Sequence, residues 1–85
     1  MTEKRLAEVI IDNALRFHDE STGLPPSLVI DKEDYSDFDI GEVKRVLLEY
    51  GFDLIDGILA PPPFADMDED FKSNKWYIYQ MEENA

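Results

Sequence analysis

The segment DMDED, residues 66–70, places four carboxylates within five residues, between three consecutive prolines and the aromatic residues 75–79. Carboxylates at alternate positions are typical of the first, third and fifth ligands of a calcium-binding EF-hand loop. The rest of that pattern is missing, because the sixth position is Phe71 instead of glycine and the twelfth is Tyr77 instead of glutamate. The sequence therefore predicts no specific metal site and no cofactor.

Residue types suited to catalysis are scarce. The chain has no cysteine, His18 is its single histidine, and its serines lack the context of an activated nucleophile. Paired carboxylates act as acid and base when a cleft desolvates one of them. A chain of 85 residues buries only about 60–65% of its unfolded surface, which leaves a thin core and little room for such a cleft. We expect a protein without enzymatic activity.

The composition describes one folded, acidic domain over residues 1–85. Hydrophobic residues make up 44% of the chain and aromatic residues 12%, which is too apolar for a disordered chain even at a net charge of −12. The absence of cysteine fits a reducing compartment. The longest apolar run near the N-terminus, residues 9–11, is far shorter than a signal-peptide core or a membrane span. We expect a cytoplasmic protein that does not enter a membrane.

The acidic residues are concentrated along the sequence, whereas the basic residues are dispersed. Residues 1–30 contain five acids and three bases, residues 31–49 contain seven and three, and residues 50–85 contain eight and two. Phosphate contacts dominate the affinity of proteins for nucleic acids. A net charge of −12 with dispersed bases therefore disfavours direct binding of DNA or RNA.

Two interpretations of the acidic segments remain open. They are solvated loops that keep a small protein soluble, or they form an anionic surface for a basic protein partner. In an extended chain, Asp66, Asp68 and Asp70 would point the same way about 6.6 Å apart, a sparse imitation of DNA phosphates spaced about 3.4 Å apart. The leading hypothesis is an inhibitor that mimics nucleic acid and engages the basic surface of a nucleic-acid-binding protein.

A first helix is predicted after Thr2, which can cap it. Apolar residues recur at helical spacing from Leu6 to Phe17 and cover most of the helix circumference. So wide an apolar sector indicates a helix covered on more than one side, by the rest of the fold or by a second copy of the chain. The alternative hypothesis is therefore a structural or assembly subunit that forms a homo-oligomer through this helix. We expect a monomer or a homodimer.

A second helix is predicted over residues 40–50. Asp39 and Glu42 form an acidic version of the capping box at its start. Gly51 stands where a residue of positive φ ends such a helix.

The remaining segments have strand character. Residues 27–30 follow two prolines and allow a short strand. Residues 52–55 and 58–60 flank Asp56-Gly57, the signal for a tight hairpin turn with positive φ, and residues 75–81 form a third strand. The predicted fold class is α+β, with two helices and a small antiparallel sheet made of this hairpin and the third strand. The element order also permits a winged-helix-like arrangement.

Both faces of the predicted sheet are apolar. Strand alternation sets Trp76 and Ile78 opposite Tyr77, Tyr79 and Met81. In the hairpin, it sets Phe52, Leu54 and Leu59 opposite Ile55 and Ile58. One helical layer covers only one face, so the other is an aromatic contact patch or is covered by the first helix and the extended segment. The candidate partner-binding residues are the acidic and aromatic side chains of these segments: Asp31, Glu33, Asp34, Asp37, Asp66, Asp68, Glu69, Asp70, Trp76, Tyr77 and Tyr79.

Overall fold

The computed structural model describes residues 1–82, which form three α-helices and a three-stranded antiparallel sheet. The helices are α1 (Glu3–Arg16), α2 (Ile40–Glu49) and α3 (Glu69–Ser73), and the strands are β1 (Ser27–Asp31), β2 (Phe52–Asp56) and β3 (Lys75–Gln80). Short 3-10 turns lie at Glu20–Thr22, Glu33–Tyr35, Gly57–Leu59 and Phe64–Asp66. The predicted α+β class is confirmed, and the winged-helix-like arrangement stays a prediction.

The helix α1 begins as its sequence predicts. The Thr2 hydroxyl accepts a hydrogen bond from the Arg5 amide at 3.1 Å and so satisfies one free N–H group of the first turn. The fold itself covers most of the wide apolar sector, since α2 and the sheet pack against it. Leu15 and Phe17 stay outside this contact, 52% and 73% exposed. The almost fully buried residues of α1 are Leu6, Ala7, Ile10 and Ala14.

The helix α2 also has the predicted ends. The Asp39 carboxylate accepts a hydrogen bond from the Glu42 amide at 3.3 Å, and Gly51 follows the helix with φ +84°. The Asp39 amide in turn donates to the Glu3 carboxylate at 3.1 Å. The starts of α1 and α2 therefore lie together, and both helices pack on the same side of the sheet.

The strand order is β1-β3-β2, so the last strand of the described chain is the central one. Ile78 pairs with Leu28 of β1 and with Leu54 of β2, and its side chain is fully buried. The core lies between this face of the sheet and the two longer helices, where Val43 and Leu47 of α2 meet it. The extended segment predicted near residues 27–30 is confirmed as strand β1.

The predicted hairpin at Asp56-Gly57 is wrong. β2 continues through Asp56, whose carboxylate accepts from the Ile58 amide at 3.1 Å, and Gly57–Leu59 forms a 3-10 turn instead of a second strand. Consequently Ile58 and Leu59 do not alternate across a sheet, and β2 pairs with β3. Positive φ occurs at Gly23 and Gly51 but not at Gly57.

Gly57 is needed for a close approach. A Cβ atom built there would lie 2.2 Å from the carbonyl oxygen of Lys72 and 3.0 Å from that of Lys75. The turn Gly57–Leu59 therefore packs directly against the backbone around α3, which no residue with a side chain permits without a shift.

Among residues 1–82, no helix is both long and apolar enough to cross a membrane.

Candidate protein-binding surface

The sheet topology connects two separate acidic segments to the same end of the sheet. β1 ends where β3 begins, because Asp31 pairs with Lys75. Just beyond this pair, the Lys32 amide donates to the Asn74 carbonyl at 2.9 Å. One acidic segment directly follows Lys32, and the other leads into Asn74 through α3. We call these two segments together the acidic end, because both connect to this end of the sheet, and define it by seven residues: Glu33, Asp34, Asp37, Asp66, Asp68, Glu69 and Asp70.

Helix starts also lie at this end. α2 begins just after Asp37, and α3 begins at Glu69 with Asp68 as its cap. The N-terminus of a helix carries a partial positive charge, which favours nearby carboxylates. This local field offsets part of the repulsion among the acidic side chains, and thus helps a folded chain to hold them together.

Lys32 is engaged within the fold. Its ammonium group lies 2.7 Å from the Asp56 carboxylate and 4.5 Å from the centre of the Trp76 ring. The hydrogen bond from Lys32, followed by that from the Ile58 amide, holds the pKa of Asp56 below its usual range.

The other two lysines near the acidic end are engaged as well. Lys75 pairs with Asp31 and lies 4.5 Å from the centre of the Phe71 ring. Lys72 is only 9% exposed, and its ammonium group donates to the Ala65 carbonyl at 2.9 Å. Within residues 1–82, none of the seven carboxylates of the acidic end belongs to an ion pair. The carboxylates of this end are therefore not held in direct ion pairs within the described residues.

The acidic loop is not extended, so the expected row of carboxylates at alternate positions is wrong. Asp66 closes the 3-10 turn Phe64–Asp66, and the Asp68 carboxylate accepts from the Asp70 amide at 2.8 Å as the cap of α3. Aspartate caps a helix well because its short side chain reaches the free amides of the first turn. Asp68 followed by acids in the first turn is a helix-start signal that was available in the sequence.

The aromatic candidates fall on opposite faces of β3, as strand alternation predicts. Trp76 lies on the same face as Ile78 and packs against the core. Tyr77 and Tyr79 lie on the other face, which we call the outer face. Trp76 is therefore separated from the two tyrosines. The outer face also carries the side chains that pair across from them, namely Ser27, Val29, Asp53 and Ile55.

Neither α1 nor β1 folds over the outer face. α1 covers the opposite face, and β1 lies in the sheet as an edge strand. The outer face is covered in part by Phe64, whose ring centre lies 5.7 Å from that of Tyr77 and 6.1 Å from that of Phe71. Sequence reasoning missed Phe64, although an aromatic residue between prolines and an acidic run is an available signal for an anchored loop.

Tyr79 contacts both Tyr77 and Asp53 on the outer face. Its ring centre lies 5.9 Å from that of Tyr77, and its hydroxyl donates to the Asp53 carboxylate at 3.4 Å. Burial, followed by the negative charge of Asp53, raises the pKa of Tyr79.

An apolar groove of about 230 Å³ runs along β1 on the outer face. Met67 lines this groove, and its neighbours in the sequence, Asp66 and Asp68, belong to the acidic end. The groove is thus continuous with the acidic end, and the two form one candidate surface. Its lining residues are Leu24, Ser27, Val29, Pro63, Phe64, Met67 and Tyr77.

The single histidine makes a backbone contact. The His18 Nε2 atom donates to the Leu24 carbonyl at 2.8 Å, which holds the segment before β1. Within the described part of the chain, no three His, Asp or Glu side chains are grouped closely enough to hold a metal ion.

Comparison of the chain with protein-family models, with curated proteins and with solved structures finds no match.

Proposed function

We propose that this protein is a non-enzymatic module that binds a basic protein surface through its acidic end and the adjoining outer face of the sheet. One observation carries the proposal: two acidic segments, far apart in the sequence, both connect to one end of the sheet, where Lys32 bonds Asn74, and the nearby lysines are engaged internally. A charge arrangement of this kind steers a basic partner and speeds its association.

The partner that fits this surface exposes a patch of lysine and arginine, as proteins that bind nucleic acids do. Occupation of that patch would exclude nucleic acid, so the protein would act as an inhibitor. This proposal does not depend on a regular row of carboxylates. It requires only that the negative charge be concentrated at one end, with apolar side chains beside it for contact.

The alternative function is assembly through α1, for which little exposed apolar surface is available. The fold already buries the central apolar residues of α1, which leaves Leu15 and Phe17 as its large exposed side chains. A concentration-dependent melting temperature would favour this alternative, because association stabilises the folded state by mass action.

The test compares two variants that remove four negative charges each. The first replaces acidic-end residues: Glu33→Gln, Asp34→Asn, Glu69→Gln and Asp70→Asn. The control replaces residues of α1, α2 and the first 3-10 turn: Glu8→Gln, Asp12→Asn, Glu20→Gln and Glu49→Gln. Proteins captured from a cell lysate at low salt supply the partner, and surface plasmon resonance gives its association rate.

We expect the acidic-end variant to lower the association rate and its salt dependence, because rim charges act chiefly on association. The control variant, with the same net charge, should change both far less. A DNA duplex added to the captured partner should compete with the wild-type protein. Equal loss of association in both variants would refute the proposal, because net charge alone would then explain the binding.

A further inference from the structure

β1 is an edge of the sheet with free backbone groups. At its two ends, the Gln80 amide donates to the Pro26 carbonyl and the Lys32 amide to the Asn74 carbonyl, both at 2.9 Å. Antiparallel ladders alternate between bonded and non-bonded pairs, so the intervening even-numbered residues bond to β3. The amides and carbonyls of Ser27, Val29 and Asp31 therefore point away from the sheet. Within residues 1–82, no hydrogen bond to these groups is formed.

The opposite edge, formed by β2, has its central outward amide occupied. The same alternation directs the amide of Leu54 outwards, because the Met81 amide donates to the Gly51 carbonyl at 2.9 Å. The Asp53 carboxylate accepts from this Leu54 amide at 2.8 Å, and the Lys44 ammonium group lies 3.6 Å from Asp53. A charged side chain that occupies an edge amide prevents another strand from pairing there. The two edges thus differ, and only the β1 edge offers a continuous set of free groups.

The apolar groove lies beside the free edge. Val29 projects onto the outer face and is 36% exposed, and the groove that it lines continues towards Phe64 and Met67. In a strand added to β1, the residues bonded to Ser27, Val29 and Asp31 would project their side chains onto the outer face. The groove, at about 230 Å³, is smaller than the roughly 300–1,000 Å³ of small-molecule sites, so it suits one or two side chains of a peptide.

The charge around the groove selects the peptide. No basic residue lines it, and Asp66 and Asp68 flank Met67 at one side. We infer that β1 accepts an extended segment of the partner as a fourth strand, and that this segment combines apolar residues for the groove with lysine or arginine for the acidic end. This inference rests on the proposed function and specifies how the basic partner is held.

The probe is a seven-residue peptide, blocked at both ends, in which three lysines precede Val-Thr-Val-Thr, so that in an antiparallel strand the valines face the groove and the lysines lie beyond Asp31. A matched peptide replaces each lysine with glutamate. Backbone amide NMR spectra of the full chain, with hydrogen exchange, report which residues each peptide contacts. With about 90% of the protein bound to the lysine peptide, we expect exchange at the Val29 amide to slow about tenfold, because the bound peptide hydrogen-bonds it. The glutamate peptide should leave it unchanged.

Two protein variants test the edge. Val29→Pro removes the outward N–H group, which an edge strand tolerates because that group has no partner in the sheet. Val29→Lys keeps the N–H group but places a charge in the groove, and it tests the same surface if the proline variant does not fold. Leu48→Lys on α2 is the control, since Leu48 is 42% exposed and lies outside the groove. We expect both Val29 variants to weaken peptide binding about tenfold or more, and the control to leave it unchanged.

Three results would overturn the inference. Shifts confined to the acidic end, with no change at Val29, would mean that charge alone holds the peptide, and the proposed function would stand without this edge. If the peptide changes no chemical shift at the acidic end or at Val29, and the acidic-end variant associates with the partner as wild type does, both proposals are refuted. If hydrogen exchange at the Val29 amide slows as the protein concentration rises, without any peptide, then a second copy of the chain occupies the edge.

Discussion

The two faces of the sheet carry similar side chains but have different roles. On the inner face, Ile78, Leu54 and Phe52 are buried beneath α1 and α2. On the outer face, Val29 and Tyr77 are covered only in part, by the loop that carries Phe64. In so small a domain, stability must come chiefly from one face. The other face therefore keeps apolar and aromatic residues that stay partly exposed.

The largest difference between the faces is expected from truncation of an isoleucine on each. Ile78→Ala should lower the free energy of unfolding by about 3 kcal/mol, because it opens a cavity at the centre of the core. Ile55→Ala, on the half-buried outer face, should cost only about 1 kcal/mol. Urea denaturation followed by circular dichroism measures both values. Equal losses would mean that both faces support the fold alike.

A second test concerns the contact that anchors the loop of the outer face. Gly57→Ala should destabilise the protein by about 2 kcal/mol, since the new methyl group meets the Lys72 carbonyl and the backbone must move. Gly41→Ala is the control: its nearest neighbour is the Asp39 side chain at 3.3 Å, which can shift, and alanine favours the helix. Thermal melting compares the two. A Gly57→Ala protein as stable as the control would contradict the close packing described here.

The third test concerns the end of α2, which covers the inner face. Gly51→Val should cost about 1–2 kcal/mol, because a β-branched residue is strained at positive φ. Gly51→Asn should cost less, since asparagine adopts this conformation more readily. If the valine variant melts within a degree or two of wild type, positive φ is not the reason why glycine occupies this position.

The smallest effect is expected at the ion pair on the inner face near the acidic end. The pKa of Asp56 is lower in the folded state than its ordinary value of 3.8, so this carboxylate contributes stability above that pH. The contribution is lost as the pH falls below 3.8 and through the folded pKa. The Asp56→Asn variant should therefore be less stable near neutral pH, and the difference from wild type should narrow in acid. Melting curves at a series of pH values measure this difference. A constant difference across that range would rule out the proposed role of the ion pair.

Sequence reasoning was accurate where the determining interactions are local. The starts of α1 and α2 follow from Thr2 and Asp39, whose side chains bond amides three residues ahead. The end of α2 follows from Gly51 in the same way. The alternation of β3 was also available, because Ile78 and Tyr77 must project to opposite sides of a strand.

The wrong prediction of a hairpin depended on contacts between distant segments, whereas the helix α3 has a local start signal at Asp68. Asp56-Gly57 has the composition of a hairpin turn, but Gly57 is required by the carbonyl of Lys72, which no local pattern reveals. The order β1-β3-β2 likewise could not be read from the chain, and it is this order that connects the two acidic segments to one end of the sheet. The acidic residues could therefore be listed from the sequence, whereas the groove formed by Val29, Phe64 and Met67 could not.

The position of β3 has a consequence for how the protein is made. β1 and β2 do not pair with each other, and each reaches the sheet only through β3, which follows both in the sequence. A ribosome-bound chain that has not yet exposed residues 75–80 can form its helices but cannot form any part of the sheet. Until then, Ile30 and Leu54 lack the strand that pairs beside them, and the high negative charge of the chain opposes aggregation.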